Sequence, residues 1–320
     1  MLNVKTITNT EMLMFTSTMR VDYLKKIFSH YGFYVLVFLL LTPSYQAKAQ
    51  SFDAIEVQQL SFQSKGVSLA GTLFKPQQPH AALVIVHGSG QTTRRNEFAE
   101  LLAKRGISVF TYDKRGVGES DGLYAGPEVG TNNIDSANLN LLAEDASAAL
   151  NLLKQYNQNI PVGLLGFSQA GWIIPIAANK NSSVDFMVLF SCPLITSLEQ
   201  LRFQFYTNGR ADFWENHSEA EAREHIRNDP DRYQFIGTDP KVALRTLSIP
   251  GFWIFGSQDI QVPVGLCLEH LNELKVQGKP FEYALFSNLG HNTAFTDDTM
   301  PVEMVIQWIK QKAFSIQKNK

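Results

Sequence analysis

Two cysteines in 320 residues are too few to staple a chain of this size with disulfides. Charge of one sign is missing as well: 28 Lys and Arg against 30 Asp and Glu leave a formal net charge of −2, with no basic stripe to follow a phosphate backbone. No H-E-x-x-H and no paired-cysteine spacing offers ligands to a catalytic or structural metal. The glycine pairs Gly88-Ser89-Gly90 and Gly116-Val117-Gly118 do not complete the dinucleotide fingerprint G-x-G-x-x-G, since Thr93 and Asp121 stand at the third position. These absences exclude a nucleic-acid partner, a metal and a nicotinamide or flavin cofactor, and no cofactor of any kind is implied. What is present, 44% hydrophobic and 18% charged residues, suits a globular chain with a substantial buried core.

The first fifty residues differ from the rest. Lys25 and Lys26 precede an apolar segment from Phe33 to Leu41, followed by Thr42-Pro43-Ser44 and by Ala47-Lys48-Ala49. A basic flank, a short apolar core and an A-x-A site read as a secretory signal peptide over residues 1–49, cleaved after Ala49, with Met19 as an alternative start. The apolar segment falls short of the ~20 residues of a membrane-spanning helix, so no stable membrane anchor is expected. The predicted product is exported, periplasmic or secreted. With Lys5, Arg20, Lys25, Lys26 and Lys48 set against Glu11 and Asp22 in the leader, the remainder carries a net −5. Cys192 and Cys267 could pair in an oxidising compartment, but their settings after a strand and within a helix favour two buried free thiols. No motif bears on oligomeric state.

From residue 50 onward the pattern is periodic. Ile55 to Phe62 and Val67 to Phe74 flank a turn at Ser64-Lys65-Gly66 and read as an antiparallel pair. Buried-type strands follow at Ala82 to Val86, Ile107 to Tyr112, Pro161 to Leu165, Phe186 to Phe190, Phe252 to Phe255 and Phe281 to Phe286, with helical patterns between most of them and a closing helix that begins with Val302 to Ile309. Such alternation predicts an α/β domain over 50–320: a mostly parallel eight-stranded sheet with helices on both faces. Between Pro193 and Ser248 no buried strand appears, and Ser218 followed by Glu221 signals a helix cap. This interval, about 193–248, reads as a helical cap over the strand ends. It is rich in rings (Phe203, Phe205, Tyr206, Phe213, Trp214, Tyr233 and Phe235), some packing the cap and some expected to line an apolar pocket.

The chemistry gathers after the strands. Gly166-Phe167-Ser168-Gln169-Ala170-Gly171 lies between a strand and a helix, where a sharp turn pushes a serine hydroxyl out of the sheet and a helix N-terminus faces a developing oxyanion. Taken alone, such a match is also an ordinary strand-loop-helix connection with a serine cap. A serine nucleophile needs a base and a carboxylate to orient it. Asp259 follows the strand ending at Phe255, and His291, in Gly290-His291, follows the next strand. Of the other histidines, His30 is in the leader, His217 and His225 are in the cap, His270 is in a helix, and His80 and His87 flank a strand before the serine. The small-residue loop His87-Gly88-Ser89-Gly90 can present backbone N–H groups to a carbonyl oxygen, and the oxyanion donors are assigned to the N–H groups of Ser89 and Gln169. Trp172, Phe205 and Trp214 are candidates for substrate contact.

His87-Gly88-Ser89-Gly90, Asp113-Lys114-Arg115-Gly116-Val117-Gly118-Glu119-Ser120, the serine turn, Asp259 with Val262-Pro263, and Gly290-His291 together resemble the α/β-hydrolase superfamily. Within it, the chain looks similar to bacterial serine hydrolases of the monoacylglycerol lipase-like and serine aminopeptidase-like branch, from about Ile55 to Lys312. The resemblance implies the α/β-hydrolase fold, a Ser168-His291-Asp259 triad, and a structural role for Asp113 and Arg115 in a loop beside the site. The expected function is a serine hydrolase acting through an acyl-enzyme on small to medium, partly apolar carboxylic esters. An aminopeptidase, amidase or thioesterase on the same triad is the alternative, with Glu199, Asp212, Glu215 or Glu219 as anchors for a substrate amine. A non-catalytic binding protein on the same scaffold is a third reading.

Overall fold

The chain opens on a two-stranded ribbon whose sharp return is set by two residues. Strands β1 (Ile55–Ser64) and β2 (Val67–Pro76) pair antiparallel in full register, and Lys65 and Gly66 both take positive φ, 45° and 81°. Positive φ at both central residues is what the tightest hairpin turn demands. This computed structural model describes residues 54–129, 134–229 and 235–318; the predicted leader and Tyr233 of the cap lie outside them. The described residues fall within the compact unit Asp53–Lys320.

Six further strands follow: β3 (Ala81–Val86), β4 (Ile107–Tyr112), β5 (Val162–Phe167), β6 (Phe186–Phe190), β7 (Gly251–Gly256) and β8 (Phe281–Phe286). The sheet has eight strands in the order β1-β2-β4-β3-β5-β6-β7-β8, antiparallel only where β2 meets β1 and β4. Strands β3, β4, β6 and β7 are buried along their whole length, as apolar runs without alternation require when both sheet faces are covered. The period of two is visible in how β3 divides. Ala82, Val84 and Val86 join the core beneath α2 (Ser136–Tyr156), α3 (Ala170–Lys180) and α8 (Val264–Val276), while Ala81, Leu83 and Ile85 join that beneath α1 (Asn96–Ala103) and α9 (Met300–Lys318). The closing helix, predicted to begin with Val302 to Ile309, runs from Met300 to Lys318. Cys192 and Cys267 are buried and unpaired.

The interval after β6 forms the cap: α4 (Ser197–Thr207), α5 (Phe213–Asn216), α6 (Glu219–Asn228) and α7 (Pro240–Leu244). Ser218 and Glu221 close the predicted capping box, and Thr196 and Glu199 form a second one. Phe203, Phe213, Ala222 and Ile226 make a core for the cap, with Tyr206, Trp214 and Ile260 packed against it. Among the described residues, no helix is long and apolar enough to cross a membrane.

The loop after β4 is fixed by two ion pairs. The Arg115 guanidinium grips both carboxylate oxygens of Asp145 on α2, with side-chain exposures of 6% and 0%, and also donates to the Ser64 carbonyl. Burial pushes the Asp145 carboxyl above its ordinary range, against the pull of Arg115. Asp145→Ala would strand a buried guanidinium, so we expect a loss of about 3–5 kcal/mol in urea unfolding. Asp113 is held by Arg94 through two side-chain bonds of 3.0 and 2.6 Å and by backbone N–H groups of Arg94 and Glu119. Burial pushes that carboxyl up, but these bonds outweigh it and hold it low. The structural role implied for Asp113 and Arg115 matches these contacts.

Candidate active site

Strand β5 extends through Phe167, paired with Phe190 of β6, so the chain leaves the sheet directly into Ser168. Ser168 takes φ of 49°, a left-handed conformation that is uncommon for a residue with a Cβ and that here turns the chain sharply from strand to helix. Its N–H donates to the Phe190 carbonyl at 3.0 Å and its carbonyl accepts from the Gly171 N–H at 2.9 Å. Two glycines make the turn possible. A Cβ on Gly166 would lie 2.4 Å from the Ala170 Cβ, and one on Gly171 would lie 2.7 Å from Pro193. The buried Ala170 methyl, standing where the G-x-S-x-G pattern has its last glycine, therefore occupies the space that Gly166 leaves open.

Strands β3 and β5 are neighbours, and beyond β3 the chain passes to β4 on the opposite side. Open α/β sheets form their crevice at this switch, outside the carboxyl ends of the strands. Gly88 lies in it: a Cβ there would be 3.8 Å from the Ser168 Cβ. His87, just before it, is buried, with Nε2 on the Tyr112 carbonyl and Nδ1 without a hydrogen-bond partner among the described residues. Burial pulls its pKa down to about 3, so the ring stays neutral and works as a packing element.

Asp259 and His291 stand on adjacent loops. His291 Nδ1 lies 2.8 Å from Asp259 Oδ2, while Asp259 Oδ1 accepts the N–H groups of Gln261 at 2.7 Å and Val262 at 2.9 Å. The Asp259 side chain is fully buried and that of His291 is 18% exposed. A carboxylate so held accepts from Nδ1–H, which leaves Nε2 as the nitrogen able to take a proton. The histidine loop is joined to both neighbours of the serine turn: Thr293 bonds Ser191 after β6 at 2.8 Å, and the Phe295 ring sits 5.0 Å from that of Phe167.

The predicted substrate residues separate. Trp172 is buried in the sheet core with its indole N–H donated to the Ile195 carbonyl at 2.9 Å, so it supports the turn from below instead of lining an open pocket. Trp214 packs on Phe203 and Phe213 and donates to the Asp259 carbonyl at 2.8 Å. Phe205 is 55% exposed on α4. Sequence reading gave no hint that Gln200, Thr207 and Trp214 of the cap would grip the carbonyls of Gln261, Ile260 and Asp259 in succession. It likewise missed Arg94 and the buried Lys114.

Residues 77–254, more than half of the chain, match the family described as serine aminopeptidase, S33. The chain belongs to this family of α/β hydrolases. The matched span holds Ser168, Ser89 and Gln169 and ends before Asp259 and His291. Among solved structures, a Pyrococcus furiosus esterase, Pf2001, superposes on this hydrolase with a TM-score of 0.59 at 18% identity, covering 81% of this chain and 92% of its own. The α/β hydrolase GrgF from a Penicillium species gives 0.56 at 18% identity, with 81% and 99% covered. An acylaminoacyl peptidase from Pyrococcus horikoshii gives 0.61 at 15% identity, over 82% of this chain and 42% of its own. At these identities the likeness is one of fold. No curated protein matches the hydrolase in sequence at a significant level.

Proposed function

We propose that this hydrolase cleaves carboxylic esters through a Ser168-His291-Asp259 triad. The observation that carries the reading is the Asp259-His291 hydrogen bond at the ends of β7 and β8, beside a strained serine turn that begins a helix. His291 Nε2 takes the Ser168 hydroxyl proton as Oγ attacks the acyl carbonyl, and the new imidazolium is stabilised by Asp259. The backbone N–H groups of Ser89 and Gln169 receive the oxyanion. The protonated His291 then gives its proton to the departing alkoxide, and water, activated by the same nitrogen, hydrolyses the acyl-enzyme. The reading includes export, with cleavage after Ala49.

The preference for esters over substrates with a free amine draws on the cap. Glu199 is engaged in its capping box and Glu219 by Arg223, while Asp212 and Glu215 are exposed. None of the four is a buried carboxylate waiting for an ammonium group, and an uncharged, partly apolar acyl chain needs no such anchor. A series of nitrophenyl esters of rising acyl length, compared with aminoacyl anilides, tests the choice. Esters should be cleaved at least tenfold faster in kcat/KM, and faster anilide cleavage would assign the aminopeptidase activity instead.

A further inference from the structure

Lys114, in the loop after β4, is an unusual lysine: its side chain is almost wholly buried, its residue exposure being 2%, and it enters none of the ion pairs found among the described residues. Its ammonium instead donates to the Gly88 carbonyl at 2.7 Å, the Ser89 carbonyl at 3.1 Å and the Gln169 side-chain oxygen at 3.1 Å. Those three bonds match the three N–H donors that an ammonium has. All three acceptors belong to the residues that flank or form the proposed oxyanion hole.

The geometry points to Lys114 as the positioning residue of that hole: its ammonium fixes the peptide groups of the 88–90 turn and the Gln169 side chain, so that the N–H groups of Ser89 and Gln169 converge on one oxygen. The reason lies in the peptide group itself. A trans peptide is planar, with its carbonyl and its N–H pointing in opposite directions. Drawing the Gly88 carbonyl toward Nζ therefore turns the Ser89 N–H the other way, to the crevice beside Ser168. A cationic donor on that carbonyl also polarises the amide and strengthens its N–H as a donor. Tyr124 lies against the next peptide from outside, its hydroxyl 2.8 Å from the Ser89 carbonyl and 2.6 Å from Glu128, with its single hydrogen shared between these two acceptors. The inference rests on the reading of Ser168 as the nucleophile.

The arrangement is sensitive to pH. Burial pulls the Lys114 pKa down to about 8, against a smaller opposing pull from Glu128. A neutral amine has two N–H donors and a lone pair, so at least one of the three bonds is lost as pH rises through that value. The groups around Nζ do not titrate in this window. His87 after β3 is neutral from about pH 3 upward, Tyr124 over the ammonium is pushed up by burial and by Glu128, the Glu128 carboxyl is held low by the Tyr124 hydroxyl, and Asp113 is held low by Arg94.

Lys114→Met, which keeps the apolar stem, tests the assignment with a nitrophenyl ester and a trifluoromethyl ketone as the oxyanion-forming probe. The variant should retain the wild-type circular dichroism spectrum and KM within about threefold. Its kcat should fall tenfold or more, short of the ~10²–10³-fold that loss of a donor itself costs, and ketone affinity should fall in parallel. Wild-type kcat should decline above about pH 8, and this limb should vanish in the variant. A folded variant with kcat within twofold of wild type would overturn the proposal. If the variant does not fold, the wild type decides alone: a kcat that stays level to pH 10 with an unchanged spectrum overturns it, and a limb near pH 8 upholds it. A wild type that neither turns over ester nor reacts with a fluorophosphonate would overturn the nucleophile reading, and this inference with it.

Discussion

Ser168→Ala will lower kcat for ester hydrolysis by about 10⁶-fold, to the level that binding and the oxyanion donors sustain alone. The variant removes one oxygen and leaves the turn intact. Its backbone bonds, N–H to Phe190 and carbonyl from Gly171, do not involve the hydroxyl. Alanine and serine carry the same Cβ, so the strain at φ of 49° is already present in the wild type. Thermal unfolding should therefore coincide for the two proteins while turnover disappears. A variant that keeps even a hundredth of wild-type kcat would show that the nucleophile lies elsewhere.

Asp259→Asn will lower kcat by about 10⁴-fold with little change in fold, for a reason specific to this loop. Oδ1 accepts two backbone N–H groups, from Gln261 and Val262, and Oδ2 faces His291 Nδ1. An asparagine has a single oxygen. The two backbone donors will take it, because turning the amide over would set its NH₂ against both of them in a site with no exposure to water. The NH₂ then faces His291 and requires Nδ1 to accept, which places the proton on Nε2. A histidine in that tautomer cannot take the serine proton. Steady-state kcat with unchanged unfolding checks this; a loss below tenfold would mean that Asp259 does not orient the base.

The places of Ser168, Asp259 and His291 in the fold were legible because they follow strands. Ser168 comes directly after β5, Asp259 three residues after β7 and His291 five residues after β8, and strands in a parallel sheet deliver their C-terminal loops to one edge. The cap was legible as an absence of buried strands, and Ser218-Glu221 as a local capping pattern. Tertiary partners were not legible. Trp172 looks the same in sequence whether it faces substrate or core, and only the packing of α3 against the segment after β6 gives its indole the Ile195 carbonyl. Trp214 reads as a ring of the cap, yet it braces the acid loop from above. Lys114 sits in a run of charged residues where a solvated side chain is the ordinary expectation. Its burial follows from β4 ending beside β3, so that the side chain lies along the 87–90 loop and reaches across it to Gln169 of the serine turn, a juxtaposition set by strand order.

The central claim is that one serine, held in a strained turn and served by His291, is an activated nucleophile. The most direct measurement is reaction of the purified protein with a fluorophosphonate, followed by peptide mass spectrometry of the adduct. The account predicts one phosphonyl group per chain, located on Ser168, and its loss in His291→Ala. A folded protein that stays unlabelled, or that carries the label on another residue, would contradict it.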